Sequence, residues 1–498
     1  MNPSSSLPVR DAWKPISARD WTPAAARHLL RRAGWAATPT AAQRAYDQGI
    51  NRTLDELFPA SPADFPAPPR VAELQTDLPE LTRRAREADS PKERQDLQRE
   101  ARERSRRAEQ DLALMWLDVA HHPARAAAEK WIFFLSDVYV VSSEKVRQTN
   151  FIWEHHDILR RHAFATAPEL TKAVSRSPAM ILYLDLQNSR AAAPNENFAR
   201  ELFELFVLGE GNYHETDIKE AARAFTGYRQ EGGMFRFVTR QHDAKPKTIF
   251  GETGRFDGDA VIDLAYRQPA AATFLPRELI RFYLTEGPID EAYVEELGHW
   301  WAASDFDLRS LARHFFRSQL FHDPVWRGAR IKSPIEFYLG LTVDLELDVP
   351  PLPRTVLSTL RLMGQELYQP PNVRGWVGGR RWINAGTLNA RRQLVQFLLT
   401  PLDHERLNAD EIAALNHARE AGHTVFTVDD ERLQQMAEMS DEEIASRFTD
   451  YFLPVASSPD ARATLVSHLS GARSPEERLT RIRDIAVALL QSPAYQLC

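Results

Sequence analysis

The sequence predicts a mainly α-helical protein, a large multi-helical body with one small β-hairpin insertion. Helix-start signals recur along the chain, such as a threonine followed by proline at Thr22 and Thr38. Apolar residues mostly recur at three- and four-residue spacing, whereas residues 235–240 alternate as in a strand. The capping-box pattern opens three more predicted helices, at Ser90, Ser440 and Ser474.

Composition limits the class of protein. Net charge is −7 over 498 residues, which argues against a general nucleic-acid binder, so no nucleic-acid partner is predicted. The one cysteine, Cys498, allows neither an intrachain disulfide nor a cysteine metal site. No segment approaches 18 apolar residues without a charge, so no membrane span is expected. Residues 1–20 contain no apolar run, which predicts a cytoplasmic protein as the chain is written.

We divide the chain into four segments by composition. The predicted segments are an N-terminal helical segment (1–60), a proline-rich linker with a charged helical arm (61–125), a core with polar motifs (126–400) and a C-terminal helical region (401–498). Acidic and basic residues alternate along residues 81–119 of the arm, and this pattern favours an exposed helix face over a nucleic-acid contact.

Residues 194–209 form the most informative segment. At 100° per residue, its phenylalanines and leucines cover one broad arc, and Asn197, Arg200, Glu201 and Glu204 lie opposite. Val207 and Leu208 interrupt that polar arc, so we expect a helix buried nearly all round, with its charges held inside. Buried charges are costly unless paired, so the stripe predicts either a structural ion network or a working site.

Three polar segments follow. A helix is expected over 216–228, with Arg223 on its polar face. Residues 235–240 alternate like a strand, residues 247–250 could be the partner strand, and His242 and Asp243 lie side by side between the two. A glycine-rich loop with two tryptophans runs through residues 370–384.

These segments resemble the bacterial domain-of-unknown-function 1800 family. The motifs that carry the resemblance occur in the family's order, strongly over residues 25–400 and weakly in the tail: 28–35, 195–209, 220–227, 242–251, 331–337, 370–384 and 492–496. The resemblance implies no established activity.

The resemblance also implies a relationship with a second protein. Family members are often exported, and their genes often neighbour a sulfatase-like member of the domain-of-unknown-function 1501 family, which is the partner implied here. Relatives often carry histidines in a Trp-His-Asn-His-Phe-like helix, where this chain has residues 134–138. If those histidines bind a metal in relatives, Asp137 is the only plausible ligand left here.

The candidate catalytic residues are Glu201, Glu204, His242 and Asp243. The two glutamates, three residues apart, could bind a metal or transfer protons, or they could join an ion network that locks two helices. His242 and Asp243 could be metal ligands or a proton relay, or Asp243 could simply stabilise a turn. Neither a particular metal nor a cofactor follows from these residues.

The predicted ligand-binding residues share polar or aromatic side chains in the same motifs: Asn195, Asn197, Arg200, Arg223, Lys247, Trp376, Asn384 and Arg391. Arg200, Arg223 and Lys247 would hold an anionic group, in a pocket bordered by the loop at residues 370–391. Two hypotheses stay open: an enzyme or ligand-binding protein with or without a metal, and a non-catalytic helical scaffold or assembly partner.

Overall fold

The computed structural model describes residues 5–455 and 457–498, and this part of the chain is mainly α-helical, as predicted. The first nine helices are α1 (Val9–Ala12), α2 (Pro23–Ala33), α3 (Pro39–Gln48), α4 (Ile50–Leu57), α5 (Pro69–Glu87), α6 (Pro91–His121), α7 (Ala126–Val138), α8 (Ser143–Val146) and α9 (Thr149–Arg161). The next nine are α10 (Ala167–Ser175), α11 (Pro178–Tyr183), α12 (Asn197–Glu201), α13 (Glu215–Ala224), α14 (Gly258–Tyr266), α15 (Pro269–Tyr283), α16 (Glu291–Ala302), α17 (Leu308–Arg317) and α18 (Gln319–His322). The last eight are α19 (Pro334–Asp344), α20 (Pro353–Leu362), α21 (Ala385–Leu398), α22 (Ala409–Glu420), α23 (Asp430–Ala437), α24 (Asp441–Ser446), α25 (Pro459–Ser470) and α26 (Pro475–Leu490).

The helix-start signals in the sequence act as caps. Thr22 and Thr38 each accept a backbone N–H of the first turn at 3.2 Å, and a proline opens the helix that follows. Ser440 forms a complete capping box, and Ser90 and Ser474 accept the N–H three residues ahead. All five predicted helix starts are confirmed, and of the three predicted capping boxes the one at Ser440 is complete.

Helices α5 and α6 form the predicted charged arm. Three residues connect them, and ion pairs such as Arg70 with Asp111 at 3.0 Å join them at matched positions of an antiparallel hairpin. Near the hairpin tip, Leu81, Ala85 and Leu97 form a small apolar cluster separate from the main core. The arm therefore carries its own packing at the tip and joins the protein body at its base.

One continuous hydrophobic cluster extends from Ala12 to Tyr495. It includes residues of all four predicted segments, whose boundaries stay a prediction. Contacts distant in sequence close it: the Trp13 indole donates to the Tyr293 carbonyl at 2.9 Å, and the N–H of Lys332 donates to the Gln496 carbonyl at 2.8 Å.

The β structure differs from the predicted single hairpin. The described residues form two hairpins, β1 (Tyr228–Glu231) with β2 (Met234–Phe237), and β3 (Lys247–Ile249) with β4 (Glu252–Gly254). The expected pairing of residues 235–240 with 247–250 is wrong. Gly232 and Gly233 have φ values of +59° and +81°, so the chain reverses there in a two-residue turn.

The polar motif at residues 194–209 also differs from the prediction. Helix α12 continues as a π-helical segment, Leu202–Val207, and apolar side chains such as Phe198 and Phe203 are buried. The polar side is not enclosed, because the Arg200 side chain is 35% exposed and the Glu204 side chain 19% exposed. This side faces α13 and the glycine-rich loop instead of the interior.

Candidate functional site

The glycine-rich loop at residues 370–384 is held at both ends. At its C-terminal end, Asn384 caps α21, with its Oδ1 accepting the N–H of Thr387 at 3.0 Å. Near its start, Arg374 donates to Glu204 at 2.7 Å and also pairs with Glu210. The loop is thereby joined to the 194–209 motif.

Asp137 holds the middle of the loop. It lies in the last turn of α7, and its Oδ1 accepts the N–H of Trp376 at 3.2 Å. Gly375 has a φ of +74°, and a β-carbon there would overlap the Asp137 carboxyl. Burial among apolar neighbours raises the pKa of Asp137 to about 6, against the lowering effect of the Trp376 N–H.

Glu286 contacts the loop from the other side, in the segment between α15 and α16. Its carboxyl leaves no room for a β-carbon on Gly379, which has a φ of +70°. Partial desolvation by the surrounding protein raises the pKa of Glu286, although nearby Arg330 opposes the rise. Two carboxylates with raised pKa values therefore face one stretch of glycine backbone.

These residues line a cavity of about 750 Å³ between α7, α15, α19 and the loop. Aromatic side chains supply much of its wall: Phe133, Phe134, Phe282, Trp376 and Trp382. Four acidic and four basic side chains also line it: Asp137, Glu278, Glu286, Glu336, Arg281, Arg330, Arg380 and Arg381. The volume lies within the range of about 300–1,000 Å³ usual for small-molecule sites.

Half of these charges are already paired. Glu336 is buried against Arg330 at 3.1 Å and Lys130 at 2.9 Å. Burial alone would raise the pKa of Glu336, but these two cations outweigh it and hold the pKa well below its usual range. Glu278 pairs with Arg281 at 2.5 Å. These contacts stabilise the cavity wall.

The other four charges face the cavity without an ion-pair partner among residues 5–455 and 457–498. Asp137 and Glu286 lie against the loop backbone, and Arg380 and Arg381 are exposed in the same loop. The cavity thus offers two free carboxylates and two free guanidinium groups to a ligand. This arrangement suits an organic molecule that has both acidic and hydrogen-bond-donating groups.

The predicted residues of the hairpin segment form a compact ion network. Arg223 bonds Asp243 at 2.8 Å and Glu220 at 2.6 Å. The hydrogen bond from Arg223 lowers the pKa of Asp243. Lys247 is buried and donates to the Asp243 carbonyl at 2.5 Å, while one ring nitrogen of His242 lies 3.0 Å from the Thr226 carbonyl. These contacts fasten the loop before β3 to α13.

The predicted residues at the start of the 194–209 motif lie at its half-exposed side. Arg200 bonds Glu215 at 2.7 Å and Glu196 at 3.3 Å. Asn195 accepts the N–H of Asn197, whose side chain donates to Asp185 at 3.3 Å. These contacts order the helix start.

The Glu201 side chain makes no hydrogen bond or ion pair with any residue that the structure describes. Partial burial, with a contribution from neighbouring Glu204, raises the pKa of Glu201. Arg391 is buried, where it donates to the Lys332 carbonyl at 2.8 Å and to Gln496 at 3.1 Å. Of the predicted ligand-binding residues, Trp376 alone lines the loop cavity, while Glu204 holds the loop through Arg374.

Sequence reasoning missed part of the cavity wall. The family resemblance points to Asp137 as a possible ligand, but it assigns no role to Glu286, Arg330 or Glu336. Glu336 closes a capping box with Ser333, a pattern visible in the sequence. Glu286 lies in an irregular connection, and no spacing pattern marks it.

Two further observations bear on the predicted chemistry. Among residues 5–455 and 457–498, no group of three or more histidine, cysteine, aspartate or glutamate side chains is arranged to hold a metal ion. None of the helices described is both long enough and apolar enough to cross a membrane.

Comparison with known proteins identifies a family. No curated protein and no solved structure matches the chain significantly. One family model matches residues 28–497, nearly the whole chain, and it covers both the loop cavity and the 194–209 motif. The chain therefore belongs to the family described as "Protein of unknown function (DUF1800)".

Proposed function

We propose that the protein is an enzyme that binds a small organic molecule in the loop cavity and that Asp137 exchanges a proton with it. The observation that carries this proposal is the position of Asp137, a carboxyl without a cationic partner among the described residues, in the wall of a cavity of about 750 Å³. General acid–base groups work best when their pKa lies near the working pH. The pKa of about 6 for Asp137 meets that condition.

The other free groups give the ligand its orientation. Arg380 and Arg381 would hold an acidic group at the exposed side, because guanidinium groups form paired hydrogen bonds with carboxylate and phosphate. The faces of Trp376 and Phe282 would contact its apolar or planar part. Glu286 would accept a hydrogen bond from a hydroxyl or amine.

Ligand-observed NMR against mixtures of small polar metabolites tests the proposal. The protein is compared with Ala329→Phe, which places a ring in the cavity, and with Asp137→Asn, whose carboxamide oxygen can still accept the N–H of Trp376. We expect a compound that binds wild type and Asp137→Asn but not Ala329→Phe. Mass spectrometry of the same mixtures should show that only wild type consumes it.

Two results would contradict the proposal. Binding that Ala329→Phe leaves unchanged would place the ligand outside the loop cavity. Equal turnover by wild type and Asp137→Asn would remove the proton-transfer role and leave Asp137 as a clamp on the loop. Circular dichroism of both variants checks that they fold.

A second candidate function is assembly with another protein, and the arm favours it. The small cluster of Leu81, Ala85 and Leu97 holds the hairpin tip together apart from the main core, and charged side chains cover its outside. The family resemblance suggests a sulfatase-like member of the domain-of-unknown-function 1501 family as the partner. Replacing residues 81–100 by a short glycine turn should abolish co-purification of a co-expressed partner, and unchanged co-purification would count against this role.

A further inference from the structure

A second, larger depression lies beneath the arm. Its volume is about 1230 Å³, and α5, α6, the start of α9 and the turn between β1 and β2 surround it. It shares no lining residue with the loop cavity. Its size exceeds the range of about 300–1,000 Å³ usual for small-molecule pockets, so a longer ligand fits it better.

An unsatisfied side-chain amide lies in this groove. Asn150, in the first turn of α9, is 7% exposed and lines the groove. Its Oδ1 has no hydrogen-bond donor within reach in the part of the chain that the structure describes. A buried acceptor without a partner costs about 1–3 kcal/mol, so the position favours a ligand that donates a hydrogen bond there.

Other carboxamides line the same groove. Gln75 comes from α5, Gln148 from the residue before α9 and Gln230 from β1. A carboxamide offers one acceptor and two donors, which complement the N–H and C=O of a peptide unit. An extended polypeptide presents such units at regular intervals and is therefore the ligand that these side chains match.

The charged side chains of the groove favour one kind of polypeptide over another. Four arginines line the groove against two glutamates, and Arg86 and Arg102 have no ion-pair partner among residues 5–455 and 457–498. Partial burial raises the pKa of Glu154 to about 7, which weakens its negative charge near neutral pH. The groove therefore favours negatively charged side chains on the ligand.

Apolar side chains complete the groove. Phe151 and Trp153 line it, and Met234 at the hairpin turn is 58% exposed. The ring of Phe151 lies 3.1 Å from the position of a β-carbon on Gly233, so the turn rests directly on α9. An exposed methionine next to aromatic rings gives a contact surface for the apolar residues of a peptide.

We propose that this groove binds an extended, acidic polypeptide segment of a partner protein, with Asn150 bonding its backbone and Arg86 and Arg102 contacting its carboxylates. The proposal is independent of the loop cavity. The groove can therefore bind a polypeptide even if the loop cavity binds no small molecule.

Fluorescence anisotropy with labelled eight-residue probes tests the charge preference. One probe alternates glutamate with valine, and the other alternates lysine with valine. We expect the full-length protein to bind the acidic probe at least tenfold more tightly. The variant Arg86→Glu/Arg102→Glu should lose at least tenfold, whereas Arg84→Glu/Arg106→Glu, on the same arm outside the groove, should stay within twofold.

A second pair of measurements tests backbone recognition. Asn150→Ala should weaken binding of the acidic probe, and methylation of the probe's central backbone nitrogens should weaken binding to wild type without adding to the effect of Asn150→Ala. Equal affinity for the acidic and basic probes would overturn the proposal. So would equal losses in the two arginine double variants, or tighter binding of a single-stranded oligonucleotide of equal charge than of the acidic probe.

Discussion

The carboxyl of Asp137 occupies the space that a side chain on Gly375 would need, while it accepts the N–H of the next residue. The end of α7 and the middle of the glycine-rich loop therefore fit together only when residue 375 is glycine. A side chain at residue 375, or loss of the acceptor at residue 137, therefore alters the cavity wall, which makes this contact the most direct test of the site.

Gly375→Ala should destabilise the protein through two effects. The residue has a φ of +74°, which costs alanine about 1 kcal/mol, and the added methyl group meets Asp137. We expect an unfolding free energy lower by about 2–4 kcal/mol in urea denaturation. Gly211→Ala is the matched control, since Gly211 has a φ of +80° and open space around it, and it should cost only about 1 kcal/mol. Equal losses would contradict the contact.

Asp137 should make the free energy of unfolding fall as pH rises. Its pKa is about 6 in the folded protein and 3.8 in the unfolded chain, so the folded state holds the proton more tightly between those values. Its contribution is complete below pH 4 and lost by about pH 6, a change of at most roughly 3 kcal/mol. Urea denaturation from pH 4 to pH 7 should show this loss in wild type relative to Asp137→Asn, and parallel curves would contradict it.

Lys332 should have the opposite effect in a higher pH range, where the free energy of unfolding should rise with pH. Its ammonium is buried 3.4 Å from the centre of the Tyr495 ring, with no hydrogen-bond partner among the described residues, and burial lowers its pKa from 10.5 to about 7. Stability should therefore rise between pH 7 and pH 10, by up to roughly 5 kcal/mol. Lys332→Met should be as stable as wild type or more stable at pH 7, and it should lack this rise.

The ion network around Asp243 should contribute to stability more than an exposed pair does. Asp243→Ala leaves the Arg223 guanidinium, only 22% exposed, with one partner fewer, and we expect a loss of about 1–3 kcal/mol. The control is Glu252→Ala, whose partner Arg267 is 59% exposed, and which should cost less than about 1 kcal/mol. A neutral or stabilising Asp243→Ala would instead favour the catalytic role first considered for this residue.

The helical architecture follows from local sequence because its signals are local. Thr22 and Ser440 cap helices through bonds to residues three positions ahead, and such patterns are visible in one sequence. The first hairpin also has a local signal, although the sequence prediction pairs its second strand with the wrong segment. Gly232 and Gly233 form a strong two-residue turn signal, yet the alternation at residues 235–240 was matched to a later segment.

The cavity could not be predicted from spacing, because its parts come from distant elements. Asp137 and Trp376 are 239 residues apart, and Arg374 and Glu204 are 170 apart. The polar residues of the 194–209 motif are visible in the sequence, but its glutamates lie outside the cavity, and only Glu204 contacts the loop that encloses it. Tertiary packing decides which charged residues meet, and a single sequence does not contain that information.

Some contacts that close the core join residues far apart in the chain, so they can form only late during synthesis. The indole of Trp13 donates to the Tyr293 carbonyl, 280 residues later, and Ile16 bonds the Arg317 carbonyl. At translation rates of about 5–20 residues per second, Tyr293 is made roughly 15–55 s after Trp13. The arm of α5 and α6 can form during that interval from neighbouring residues, and α2 can pack on α3, whereas the contacts of α2 with α18 must wait for residues 319–322. A nascent chain that ends before Tyr293 therefore lacks the hydrogen-bond partners of both Trp13 and Ile16.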